Sequence, residues 1–308
     1  MGVEDNIDSF LEKYWKLPFK ASFADMTEGW DWPLEELRKK YGDETMNRYN
    51  ELVSALFQAD DAMHSCPEGM DIHQATFRRI GQDLYAFVFE TGLCDEIPRS
   101  TVVRGRETLK SLLGILSKVD KPFTMVDLGS GDGKIATGLA LYLDNLQKLY
   151  TVDELPAALR RMHTNIDKLE DKERALGKIF SIEGNYLSED VQTKFQSYEP
   201  QKADIVLAAY QSASPEIILP QTAAFAKPDG RILACFTQRS SHWGISPFES
   251  QAMVKAVTEN AGNIAFNLNF EFSLLDSAVY AIQDMLLIGE FKKINASGVE
   301  KSKEPQGE

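Results

Sequence analysis

The stretch Met125-Val126-Asp127-Leu128-Gly129-Ser130-Gly131-Asp132-Gly133-Lys134 decides the fold. An apolar run carrying one acid passes into a turn with glycine at every second position, and the residues after Lys134 take up helical spacing. Side chains in such a turn would hold the backbone away from a ligand and forbid positive φ; glycine removes both restrictions. The freed N–H groups lie at a helix N-terminus, where they lack intrahelical acceptors. Glycine in a tight β–α turn also serves geometry alone, so this turn by itself leaves a ligand undecided.

Outward from that turn, short apolar runs alternate with helical patterns, the signature of βαβ units. The runs are 123–128, 149–152, 179–182, 205–209 and 231–236, with helices expected at 134–143, 157–169, 188–195 and 215–225. Two later runs, 265–272 and 279–288, are separated by only 273–278, too short for a crossover helix, so they should pair antiparallel. An α/β fold follows: a seven-stranded, mostly parallel sheet with a reversed last strand. Upstream the period is helical, as in Met46, Tyr49, Leu52, Val53, Leu56 and Phe57, or Leu109, Leu112, Leu113 and Leu116. The expected organisation is an N-terminal helical cap over 1–118, the α/β domain over 119–294 and a polar, disordered tail over 295–308.

The second strand sharpens the chemistry. Tyr150-Thr151-Val152 ends in Asp153, 153 − 133 = 20 residues beyond the last glycine of the turn. An acid there can hold a ribose diol through paired hydrogen bonds. Gly131-x-Gly133-x-x-Ala136 also satisfies the dinucleotide pattern, so these residues point to a nucleoside cofactor without saying which.

Asp127-x-Gly129-x-Gly131-x-Gly133 resembles the first motif of the class I, Rossmann-like, S-adenosylmethionine (SAM)-dependent methyltransferases. Asp153-Glu154-Leu155-Pro156 is similar to the second, and Gly184-Asn185-Tyr186 stands where the family usually shows Gly-Asp beside adenine. Ala203–Leu207 resembles the fourth strand, and Lys227-Pro228-Asp229-Gly230 the turn before the fifth. The likeness spans about 121–293. It implies a cofactor set of Asp127, Gly129, Ser130, Gly131, Gly133, Asp153, Glu154, Asn185, Tyr186 and Tyr210, with S-adenosylhomocysteine (SAH) as product. Since SAM carries an activated methyl, the protein's task is alignment of nucleophile, methyl and sulfur.

In this family the fourth strand ends beside the methyl. Here that end reads Ala208-Ala209-Tyr210-Gln211-Ser212, with neither an Asn-Pro-Pro-Tyr motif nor a cysteine. Tyr210 and His242 are the catalytic candidates, His242 as a general base in the loop after the fifth strand. Their plainer readings are packing for Tyr210 and stacking on Trp243 for His242. His163 reads as structural, and His64 and His73 lack the partners of a metal site. Arg104 and Arg106 are candidates for the SAM carboxylate, and the aromatics from Tyr14 to Trp32 either line a pocket or form the cap's core.

Charge and composition narrow the acceptor. A net charge of −14, with only short basic clusters, argues against a nucleic-acid substrate. No apolar run reaches the ~18 residues of a membrane span, and the acidic N-terminus lacks the pattern of a signal peptide. Cys66, Cys94 and Cys235 lie too far apart for a zinc site or disulfide framework, so reduced thiols and a cytoplasmic location are expected. The resulting expectation is a methyltransferase acting on an O, N or C atom of a small molecule, without metal, as monomer or homodimer. Alternatives are a protein methyltransferase with the cap as docking surface, a nicotinamide-dependent oxidoreductase, and a non-catalytic SAM-fold binding protein.

Overall fold

The computed structural model describes residues 3–15, 34–65, 70–95, 99–209, 215–239, 250–279 and 284–294. Helices α1 (Val3–Tyr14), α2 (Leu34–Tyr41), α3 (Asp43–Ser65), α4 (Met70–Thr91) and α5 (Arg99–Leu116) precede the first strand. Then come β1 (Phe123–Leu128), α6 (Lys134–Tyr142), β2 (Leu146–Asp153), α7 (Pro156–Asp167), α8 (Lys172–Leu176) and β3 (Ile179–Glu183). The chain continues through α9 (Glu189–Tyr198), β4 (Ala203–Ala209), α10 (Pro215–Ala223), β5 (Ala226–Arg239), α11 (Ser250–Asn267), β6 (Phe270–Val279) and β7 (Asp284–Lys293).

The strands form one seven-stranded sheet in the order β3-β2-β1-β4-β5-β7-β6. Strands β1 to β5 pair in parallel, and β7 runs antiparallel to both β5 and β6. The reversal of the last strand agrees with the sequence reading. Side chains alternate across the sheet because the strand period is two. Met125, Leu149, Ile205, Leu207 and Leu233 pack on one face with residues of α1, α5, α6, α7 and α8. Val126, Val152, Val206 and Ile232 pack on the other with α9, α10 and α11. With both faces covered, the strands read as continuous apolar runs rather than alternating ones.

The C-terminal boundaries differ from those expected. Residues 265–267 close α11 and 273–278 belong to β6, while the connection between β6 and β7 falls at 280–283, outside the described residues. Ala261 and Ala265 are buried on one face of α11, a helical spacing that a scan for short apolar runs takes as strand. Asn269, at φ 61°, stands just past the helix end, where an asparagine tolerates the left-handed conformation.

The N-terminal helices divide into two groups. Helices α2, α3 and α4 enclose a small cluster of Leu37, Met46, Val88 and Leu93. Helices α1 and α5 join the core of the sheet, where Ile7, Leu11 and Trp15 meet Leu109, Leu112 and Leu113. The Tyr14 hydroxyl donates to the carbonyl of Lys134 at 2.7 Å, tying the end of α1 to the first turn after the glycine loop. Trp15 lies so close to Gly105 that a β-carbon there would sit 2.8 Å from its ring. Tyr14 and Trp15 are therefore packing residues; the remaining aromatics to Trp32 lie outside the described residues.

This shared core has a measurable consequence. Leu11 is fully buried, so Leu11→Ala should destabilise the α/β body by about 2–5 kcal/mol in denaturant unfolding, as buried leucines do. A loss below about 1 kcal/mol, the size typical of surface positions, would mark α1 as an appendage.

Candidate functional site

The parallel strands end in register at one edge of the sheet: Leu128 stands beside Val152 and Ala208, and Asp153 beside Glu183. The strand order changes direction at β1, between β2 on one side and β4 on the other. In open α/β sheets such a switch point opens a crevice outside the carboxyl ends. The glycine loop fills the edge of that crevice.

Gly129, Gly131 and Gly133 take φ values of 71°, 56° and 67°, all left-handed. The amides of Gly129 and Ser130 donate to the Val152 carbonyl at 2.7 and 3.1 Å, folding the loop back over β2. A β-carbon on Gly133 would lie 2.2 Å from Met162, so the helix-side glycine is required by packing as well as by φ. One on Gly131 would meet only the Phe89 ring, at an ordinary 3.7 Å. Ser130 Oγ is buried and has no hydrogen-bond partner among the described residues. A buried hydroxyl left in that state is costly unless a ligand supplies its partner.

Asp153 lies beneath this loop rather than at an open rim. One carboxylate oxygen accepts the Gly131 amide and the other the Leu155 amide, both at 2.8 Å. Burial raises its pKa, and the two N–H donors pull in the opposite direction. Asp127 is 2 % exposed, and its pKa is pushed up to about 7, first by burial and then by the charge of Asp153. Two acids thus share one nearly dry corner under the loop.

Asn185 Oδ1 accepts the Leu187 amide at 2.9 Å, so the side chain closes its own turn. Its Nδ2 donor and the second lone pair on Oδ1 can serve a further partner. Tyr186 is half-buried, and its pKa is raised to about 12, chiefly by burial.

Asp127, Gly129, Ser130, Gly131, Gly133, Asp153, Glu154, Asn185 and Tyr186 thus come together at the carboxyl ends of β1, β2 and β3. Tyr210 and His242 lie outside the described residues. Arg106 Nη1 meets Glu107 at 3.2 Å, and Arg104 is half-buried on α5. His163 is exposed on α7, 3.2 Å from Ser181 Oγ. Among the described residues no group of His, Cys, Asp and Glu could hold a metal ion, and no helix is long and apolar enough to cross a membrane.

Sequence reasoning missed one contributor, α4. Its Gln82 Nε2 donates to Glu154 Oε1 at 2.6 Å, and its Phe89 faces Gly131. Arg78, Gln82, Tyr85 and Phe89 follow at steps of four, three and four, one stripe of a helix. The apolar stripe Phe77, Ile80, Leu84, Phe87 and Val88 draws attention instead, because a hydrophobic period reveals what packs and not what a polar face meets.

Two predictions follow from these contacts. Gly131→Ala should cost only ~1–2 kcal/mol of stability, the expense of a left-handed alanine. Gly133→Ala adds the clash with Met162, so the larger denaturant shift must belong to it; equal shifts would refute this loop geometry. The second concerns pH. Asp127 ionises near 7 when folded and near 4 when unfolded, so the native state binds the extra proton between those values. Stability is therefore lost as pH rises from about 4 to about 7, then levels. Asp127→Asn should gain stability relative to the parent between pH 5 and pH 8, by up to a few kcal/mol. A difference that does not change with pH would mean that Asp127 ionises as a solvated acid does.

The sequence matches no protein-family model and no curated protein. Solved structures of similar fold exist. TYW2 of M. jannaschii in complex with AdoMet is 18 % identical, at a TM-score of 0.38, over 59 % of this chain and 74 % of that one. Magnesium protoporphyrin IX methyltransferase (ChlM) of Synechocystis PCC 6803 with bound SAH is 11 % identical, at 0.45, over 62 % and 85 %. Precorrin-6y C5,15-methyltransferase of Geobacter metallireducens is 12 % identical, at 0.40, over 61 % and 87 %. The strand order and the reversal of β7 give the chain a Rossmann-like, mostly parallel seven-stranded sheet.

Proposed function

We propose that the chain is a SAM-dependent methyltransferase that acts on a small-molecule acceptor. The observation that carries this reading is the glycine loop. Three left-handed glycines lie at the switch point of the sheet, the middle one bonded through its amide to Asp153, with a buried, unpartnered Ser130 hydroxyl among them. These residues fit a nucleoside cofactor with an amino-acid tail. On this reading the loop allows close approach to the tail, Asp153 anchors the loop beside Glu154 at the ribose, and Asn185 offers hydrogen bonds to adenine.

When bound, SAM supplies a methyl already activated on sulfonium. The chain's own residues then have to orient the ligand and exclude water, and alignment is what lowers the barrier of an in-line displacement. A dinucleotide remains compatible with the glycine spacing. Its doubly wound sheet runs 3-2-1-4-5-6, however, and here the reversed β7 separates β5 from β6. That difference favours SAM.

The acceptor approaches, on this reading, beyond the carboxyl ends of β4 and β5, with Tyr210 and His242 on its walls and His242 as general base. The charge of −14 favours a small molecule over nucleic acid. The buried thiol of Cys235 is in no disulfide, which is consistent with a reducing, cytoplasmic setting.

Thermal-shift titration tests the cofactor directly. SAM and SAH should stabilise the protein by about 2.7 kcal/mol at a hundredfold excess over Kd, and NAD should not. Stabilisation by NAD alone would sink the reading. For the acceptor side, His242→Ala should slow turnover by about 10²–10⁴-fold and leave SAM affinity unchanged. A loss smaller than about tenfold would remove His242 from the chemistry.

A further inference from the structure

Both carboxylate oxygens of Asp153 already accept backbone amides, and the residue is 7 % exposed. The adjacent acid, Glu154, stands further out, with its side chain 33 % exposed. Gln82 Nε2 donates to its Oε1 at 2.6 Å, and Arg78 Nη2 approaches the same oxygen at 3.5 Å. Both come from α4, 72 and 76 residues earlier in the chain. Glu154 Oε2 has no hydrogen-bond partner among the described residues. The same helix sets Phe89 against Gly131. Helix α4 therefore spans from the glycine loop to the second acid, along the line that a nucleoside bound at the switch point would follow.

We propose that α4 completes the ribose subsite: Gln82 and Arg78 are positioning residues that hold Glu154 by Oε1 and so present Oε2 to the ribose hydroxyls. This rests on the nucleoside-cofactor reading above and extends it, making the helical cap a determinant of cofactor affinity. Charge supports the arrangement. An amide and a guanidinium on one oxygen orient the carboxylate, and a carboxylate oxygen is a strong acceptor for a hydroxyl. The Arg78 side chain is 43 % exposed, so the closer Gln82 contact is expected to dominate.

The test pairs protein variants with ligand variants, read by calorimetry. The ligands are SAH and its 2′,3′-dideoxy analogue, which lacks the hydroxyls that Glu154 would accept. Gln82→Met keeps the length and removes the donor. It should weaken SAH about tenfold and change the dideoxy affinity by less than about twofold, because only the diol bond depends on Glu154 being held. Arg78→Leu should show the same ligand selectivity on a smaller scale, and Arg78→Lys should restore part of it. If Gln82→Met alone lowers the melting temperature, the half-exposed Arg78 pair carries the test. Equal weakening of both ligands, or of neither, would overturn the positioning role. Failure of the parent protein to bind SAH at all would instead refute the cofactor reading beneath it.

Discussion

The hydrogen bond from the Gly131 amide to the Asp153 carboxylate, 2.8 Å long, joins the loop after β1 to the end of β2. Most of the site depends on it. The left-handed glycines fix the path of the loop, the Val152 carbonyl takes its first two amides, and the carboxylate holds its crest. Without that anchor, three positive-φ glycines would be a flexible turn, with more backbone entropy to lose on binding. The same anchor has an electrostatic cost. Burial raises the pKa of both acids, and the charge of Asp153 raises that of Asp127 further. Perturbed acids concentrated at the end of a sheet are a common mark of functional sites.

The helices upstream are part of that site in two ways. Helix α1 shares the sheet's core and bonds through Tyr14 to the residue that follows the last glycine. Helix α4 meets Glu154 through Gln82 and Gly131 through Phe89. Segments distant in sequence thus meet the loop at Gly131 and at Lys134. A boundary drawn near residue 118 separates the helical from the α/β pattern in sequence, yet α1 and α5 pack into the core beyond it.

Much of this was legible beforehand because its signals are local. The run from Asp127 to Lys134 carries its own turn chemistry, and the parallel strands are apolar on both faces, so their positions could be read within a few residues. Asp153 could be located by spacing, but not the fact that its oxygens face inward to Gly131 and Leu155, since that depends on how the loop folds back. Helix α11 is hard to read because its last residues run almost directly into β6, so 265–272 scans as one apolar run. The contribution of Gln82 was invisible for a different reason. A single long-range polar contact leaves no period in the sequence, and its partner lies 72 residues away.

Amide hydrogen exchange with and without SAH shows whether the glycine loop and its acid hold the ligand. Buried, hydrogen-bonded amides exchange only through local opening, and a ligand bound to the closed form suppresses that opening. Increased protection is expected across residues 128–134 and 153–155, with a smaller increase along the Arg78–Phe89 stripe of α4. Protection elsewhere in the sheet with none at Gly131 would contradict it.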